Sequence, residues 1–279
     1  MKTGLFLSGG GALGSWQAGF MSAVYERYRP DFSVVAGFSV GALNGVSCAL
    51  GRADELEGMW TSVTAPGVMT FRPSLLPFSL YSIAPLRNLL SSFLGKSAEQ
   101  YDGDRPFVSV AFASETARPH YTRYEKGSPA RLPLLDGLLA SCAIPYVFPP
   151  VKIAEDGRKL TLLDGGVRGP EPIDFSMFAG LDAVLCVDLS LPPFRDGSAL
   201  SLRDEFERQA RASMGRVMEE GLATMHRLPY PPKLFRAVPK KAIGLRILEF
   251  NTKKCSRAFM EGREQARETD FTSLFPSPL

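Results

Sequence analysis

Two strand–turn–helix units packed into residues 1–50 constrain this chain more than anything else in it. Residues 4–8 form a short apolar run that ends in Gly9-Gly10-Gly11, the pattern of a buried strand feeding a tight turn. Residues 15–27 then carry Trp16, Phe20, Ala23 and Val24 at helical spacing. A second strand over 33–36 runs into Gly37, and residues 40–50 continue as a helix rich in small side chains. Strand–helix–strand–helix over so short a stretch predicts a parallel sheet covered by helices, hence an α/β fold.

The remainder extends that pattern. Strands are predicted over 107–114 and 120–125 (joined by a turn at Ala117-Arg118-Pro119), over 160–163, 183–189 and 243–250. Helices are predicted over 133–143, 202–227 and 255–268. Pro66, Pro73, Pro77 and Pro85 rule out one long helix over 65–95, and the apolar residues there read as an irregular cap packed on the core. With 279 residues, 45% hydrophobic and 22% charged, one domain is expected, with a motif-bearing core at about 4–190 and an extension at about 200–279.

Composition narrows the function classes. A net charge of only +3 gives no reason to expect a nucleic-acid partner. Cys48, Cys142, Cys186 and Cys255 show no close pairing, and His120 and His226 are the whole histidine supply. Reduced core cysteines and no metal site are therefore expected. Gly9-Gly10-Gly11 interrupts the opening apolar run before it could serve as a secretory signal, and Lys2 stands where myristoylation needs glycine. No run reaches the roughly 18–20 apolar residues of a spanning helix. The reading is cytoplasmic.

Three glycine-flanked sites carry the chemistry. Gly37-Phe38-Ser39-Val40-Gly41 is a GxSxG between strand and helix, where a strained turn lifts a serine clear of a sheet. Gly9-Gly10-Gly11-Ala12-Leu13-Gly14 can aim backbone N–H groups at an oxyanion or a phosphate. It also satisfies GxGxxG, but the next strand ends in Gly37-Phe38-Ser39 and lacks the acidic residue of a dinucleotide site; no Gly-Lys-Ser/Thr follows. The third, Asp164-Gly165-Gly166, ends a predicted strand, where Asp serves as base, metal ligand or turn former. A serine nucleophile needs a base. Both histidines read as surface residues, His120 in a hairpin turn and His226 at the end of a charged helix.

The order GGGxxG, GxSxG, Asp-Gly-Gly resembles the patatin-like phospholipase family, as do residues 37–44 (GFSVGALN) and Ala140-Ser141-Cys142-Ala143-Ile144-Pro145 running into Phe148-Pro149-Pro150. The likeness covers about residues 4–50 and 105–190. It implies a three-layer α/β/α fold around a mostly parallel sheet and a Ser–Asp dyad in place of a triad. Ser39 is then the nucleophile and Asp164 the base, with an oxyanion hole from Gly9, Gly10, Gly11 and Gly14 and no cofactor. The chain departs from the family pattern at Leu13, where most members carry Arg or Lys. Phe38 and Val40 are larger than the usual neighbours of the nucleophile, and Val167-Arg168-Gly169-Pro170 lacks an expected Asn.

The resemblance implies hydrolysis of lipid or other acyl esters through an acyl-enzyme. A soluble small-ester esterase or thioesterase, or a catalytically silent lipid-binding module, is the alternative. Peripheral membrane contact has two candidate sources. One is the 65–95 cap. The other is a late basic set, Lys233, Arg236, Lys240, Lys241, Arg246, Lys253, Lys254 and Arg257, for which the interspersed Glu249, Glu261 and Glu264 favour an ordinary solvated face.

Overall fold

The computed structural model describes residues 1–190 and 201–275. Both opening units form. β1 (Thr3–Leu7) passes through a 3-10 turn at Gly11–Leu13 into α1 (Gly14–Tyr28), and β2 (Phe32–Phe38) passes straight into α2 (Val40–Ala49). Next come α3 (Leu56–Ser62), the single turn α4 (Ala65–Val68), a hairpin of β3 (Thr70–Leu75) and β4 (Phe78–Ser82), and α5 (Ala84–Leu94). The second half holds β5 (Phe107–Ala113), β6 (Arg118–Tyr124), α6 (Leu134–Ser141), β7 (Val151–Glu155), β8 (Arg158–Asp164) and β9 (Ala183–Val187), then α7 (Leu202–His226), β10 (Lys233–Ala237) and α8 (Thr252–Arg267).

The main sheet has eight strands in the order β10-β9-β1-β2-β5-β8-β7, with β6 on the other edge of β5. The run from β10 to β5 is parallel, and β6, β7 and β8 join antiparallel. Every residue of β1, β5 and β9 is buried, as a strand covered by helices on both faces requires. On the helical layers α8 packs on both α1 and α3, and α7 packs on the 3-10 turn Phe175–Phe178. The fold is a three-layer α/β/α arrangement around a mixed, mostly parallel sheet.

One register detail positions the site. β6 lines one edge of β5 throughout, and the other edge is shared end to end by two strands. β2 pairs with it as far as Phe38 opposite Val110, and β8 takes over at Asp164 opposite Ala111. The residue after Phe38 is Ser39. The topology therefore delivers Ser39 and Asp164 to the same point on the sheet edge from positions far apart in the chain.

Three expectations need correction, and one strand lies outside them. Residues 243–250 are irregular, and the strand of that region lies earlier, at Lys233–Ala237 beside β9. The apolar alternation of 243–250 is real, but its backbone is engaged by α7 side chains and by the glycine turn, as described below. The hairpin partner β7 was not anticipated, although Asp156-Gly157, both at positive φ (49° and 74°), is a strong two-residue hairpin signal. Residues 65–95 do not form a cap packed wholly on the core, since the β3–β4 hairpin projects with its apolar side chains exposed. His120 lies in β6, not in a turn, and is buried with Nε2 3.1 Å from Glu155. His226 is exposed at the end of α7.

Candidate active site

Ser39 sits between β2 and α2 with φ 53° and ψ −134°, a strained conformation for a side-chain-bearing residue. The turn closes because Gly41 lets α2 approach β1: a Cβ at Gly41 would lie 2.1 Å from the Leu7 carbonyl oxygen. The hydroxyl is thus held at the N-terminus of α2, where the helix dipole favours developing negative charge.

Asp164 ends β8 and is buried. Its Oδ1 accepts the Gly166 N–H at 2.7 Å. Oδ2 is buried and has no partner of good hydrogen-bond geometry among the described residues. Burial lifts the carboxyl from its ordinary 3.8 to about 6, against opposing pulls from the Ser39 hydroxyl and the Gly166 amide. Ser39 is therefore near enough to influence the carboxyl, yet the two are not tightly bonded in the free protein. Loose hydrogen bonds of this kind are common in sites without substrate.

Ser141 joins the two motifs. Ser39 N–H donates to Ser141 Oγ at 2.9 Å and to its carbonyl at 3.1 Å. The Ser141 hydroxyl donates to the Val110 carbonyl at 2.6 Å, and the Ser141 carbonyl also accepts the Gly165 N–H at 3.3 Å. One buried serine at the end of α6 thus fixes the elbow, β5 and the Asp-Gly-Gly turn relative to each other. Phe38 fills the space between motifs: it is buried, and a Cβ on Gly9 or on Gly165 would meet it at 2.6 Å.

The glycine turn divides its labour. Gly10 and Gly11 line a cavity with Ser39 and Asp164, and their amides donate to no group among the described residues. Gly9 packs behind, on Phe38, and the Gly14 N–H is taken by carbonyls of the same turn. Gly11 has φ 55°, and a Cβ there would meet the Ile247 carbonyl oxygen at 2.1 Å. That carbonyl accepts the Ala12 N–H at 2.7 Å. Ile247 is itself held from α7, where its N–H donates to Glu207 at 2.9 Å and 3.2 Å. Arg211 pairs with Glu207 at 2.7 Å and donates to the Leu245 carbonyl at 2.9 Å, all of it buried. Leu13, where a cation was the family expectation, is fully buried in the core.

A second network ties the two opening helices together. Asn44 Nδ2 donates to the Gly14 carbonyl and to Gln17 Oε1, while its Oδ1 accepts the Trp60 indole N–H at 2.9 Å. Gln17 in turn donates to the carbonyls of Ser8 and Val187. Neither Gln17 nor Trp60 carried a motif signal. Their role emerges only once the strand ends are adjacent.

Ser39 stands where two cavities meet. One, a narrow cavity of about 90 Å³, is walled almost wholly by apolar side chains, among them Leu43, Trp60, Leu86, Leu90 and Phe148. The other is wider and, though still mostly apolar, carries Asp164, Arg168, Gln209 and Ser213 on its walls. Ile247, Phe206 and Met214 face this wider cavity, and Leu248 and Phe250 face the narrow one.

Five of the eight late basic residues are held in ion pairs. Arg236 pairs with Asp188 and Glu219, Lys240 with Glu268, Arg246 with Asp204, Lys254 with Glu249, and Arg257 with Glu261. Cys48, Cys142, Cys186 and Cys255 are all buried and free. No helix among the described residues is long and apolar enough to cross a membrane.

The family model for patatin-like phospholipases matches residues 5–176, and the chain belongs to that family. Among curated relatives, an uncharacterized NTE family protein of Mycobacterium tuberculosis is 29% identical over 199 residues, which cover 71% of this chain and 51% of that protein. The uncharacterized protein YqhO of Bacillus subtilis is 27% identical over 222 residues, covering 72% of this chain and 75% of YqhO. The match thus spans about half the length of the mycobacterial relative. Among solved structures, VipD from Legionella pneumophila aligns over 96% of this chain and 66% of its own, with TM-score 0.43 and 14% identity. The family match ends before α7, so several walls of both cavities come from residues beyond it.

Proposed function

We propose that the protein is a lipid acyl hydrolase that cleaves carboxylic esters through Ser39 and Asp164. The observation that carries this reading is the convergence of the strained Ser39 and the buried Asp164 at the junction of a narrow apolar cavity and a wider one that also carries polar side chains. Asp164 accepts the Ser39 hydroxyl proton as Oγ bonds to the ester carbonyl carbon. The oxyanion that forms is met by the Gly10 and Gly11 amides, which have no competing protein partner among the described residues. The proton passes from Asp164 to the departing alcohol, and water, deprotonated by the same carboxylate, releases the acid. A carboxyl raised to about 6 is a far better base near neutral pH than an ordinary aspartate.

The two cavities support a division of the substrate between them. The narrow apolar cavity suits an acyl chain, and the wider cavity, where Arg168, Gln209 and Ser213 interrupt an otherwise mostly apolar wall, suits the alcohol portion. A substrate with a long chain on one side and a polar group on the other is a membrane lipid or its breakdown product. An alkyl fluorophosphonate tests the nucleophile: one adduct by intact mass, lost in Ser39→Ala, is expected. Labelling that persists in Ser39→Ala would overturn the assignment.

A further inference from the structure

The β3–β4 hairpin is a two-stranded ribbon whose first strand is almost uncovered, while β4 is held at Ser79, which is buried against the Tyr146 segment. Along β3 only Ser74 is even partly covered. Leu75 is 83% and Leu76 93% exposed at its tip, and Phe71 (66%) and Phe78 (49%) flank them. An isolated ribbon is marginal in water, and this one puts its largest apolar side chains outward. What ties it down lies at its base: the Leu80 and Tyr81 amides donate to the Tyr146 and Val147 carbonyls, both at 2.9 Å.

That base adjoins both cavities. Tyr146, 70% exposed and in edge contact with Phe78, lines the wider cavity beside Ser39. Leu89, on the following helix, is part of the exposed apolar surface and also of the apolar cavity wall. The apolar surface therefore continues from the hairpin into the site. Its charge points the same way. Residues 58–98 contain no Asp or Glu but do contain Arg72, Arg87 and Lys96. Arg87 is paired with Asp136, whereas Arg72, on the hairpin itself, has no ion-pair partner among the described residues.

We propose that this hairpin is a membrane wedge, which inserts Leu75, Leu76, Phe71 and Phe78 into the surface of an anionic bilayer with Arg72 at headgroup level. A bilayer supplies the burial that the ribbon lacks, tolerates apolar side chains on both faces at once, and attracts a cationic segment free of acids. A flat protein partner would cover only one face. Docked this way, the hairpin sets the mouth of the acyl cavity against the lipid layer, so a chain can slide in without crossing water. The inference takes its substrate from the function proposed above, but binding itself does not require the dyad.

The test is co-sedimentation of the Ser39→Ala protein with two kinds of vesicle, phosphatidylcholine alone and an equal mixture with phosphatidylglycerol. Use of Ser39→Ala separates docking from catalysis. Binding to the mixed vesicles that weakens with salt is expected. Leu75→Ser/Leu76→Ser should lower the partition coefficient on the order of a hundredfold. Arg72→Gln should lower it about fivefold on mixed vesicles and little on phosphatidylcholine. In the Ser39 background the leucine variant should still hydrolyse a soluble short ester at the unaltered rate, because neither leucine lines a cavity. Failure of the parent to bind mixed vesicles, or unchanged binding by the leucine variant, would overturn the proposal. So would sedimentation showing that the hairpin leucines hold a dimer that does not bind vesicles.

Discussion

Replacing Asp164 by Asn should make the protein more stable and inactive at the same time. Burial raises this carboxyl from 3.8 to about 6, so between those values the folded state holds a proton that the unfolded state has lost. For an acid shifted upward, the folded form is favoured at low pH, and stability falls as pH rises through about 6. At about 1.36 kcal/mol per pH unit, the cost of keeping the carboxylate charged inside the site reaches ~3 kcal/mol above that range. Asn keeps the shape and an oxygen for the Gly166 N–H but never ionises. Asp164→Asn should therefore exceed the parent by ~3 kcal/mol at about pH 8, roughly 5–10 °C in melting temperature. The difference should shrink as pH falls below about 6 and approach zero only below about pH 3, where the carboxyl is protonated in the folded and the unfolded chain alike. Thermal melts of the two proteins across that range make the comparison. A variant no more stable than the parent at the alkaline end, or a gap independent of pH, would refute the claim that Asp164 is a desolvated base.

Other consequences follow from the same geometry. The rate of ester hydrolysis should climb with pH through about 6, as Asp164 loses its proton, and a pH–rate profile without that rise would contradict its role as base. Ser141→Ala removes the buried bonds from Ser39 N–H and to the Val110 carbonyl; a loss of ~2 kcal/mol in urea unfolding and a lower kcat are expected. Leu90→Trp should fill part of the apolar cavity and move the preference toward short acyl chains, read from kcat/KM over an ester series. Arg211→Met leaves Glu207 charged and unpaired, and should cost about 3–5 kcal/mol. Pairing it with Glu207→Leu should recover part of that loss, and failure to do so would show that the Ile247 contacts matter more than the charge.

The parts of the fold legible in the sequence were those governed by local rules. β1, α1, β2 and α2 announce themselves by apolar runs, helical spacing and glycine turns, and α7 and α8 by long periodic patterns. Residues 243–250 misled because alternation reports which side chains are buried, not what the backbone bonds to; here Glu207, Arg211 and Ala12 take the places a neighbouring strand would occupy. His120 misled because its proline neighbour suggested a turn, while its pairing with Ala111 on β5 is a non-local fact. The exposure of the hairpin was equally hidden. Apolar residues are usually buried, and nothing in Leu75-Leu76-Pro77-Phe78 says otherwise until the ribbon is seen to lack a covering layer.

At the site, the three glycine-flanked motifs were readable, but the way they meet was not. Ser39 and Asp164 converge because β2 hands the edge of β5 to β8, a feature of sheet topology that no single motif encodes. Ser141 lay inside a recognisable stretch, yet its bonds to Ser39, Val110 and Gly165 give that stretch a physical purpose. The Glu207–Arg211 pair was visible only as a charged couple on a long helix. Its burial, and its reach through Ile247 to the glycine turn, required the packed structure.

The most direct test of the whole account is hydrolysis of nitrophenyl esters of increasing acyl length by the parent, Ser39→Ala and Asp164→Asn. The account predicts turnover that rises with chain length as the apolar cavity fills, and that falls by orders of magnitude in both variants. Turnover by the parent that survives in Ser39→Ala, or none by the parent at any chain length, would contradict it.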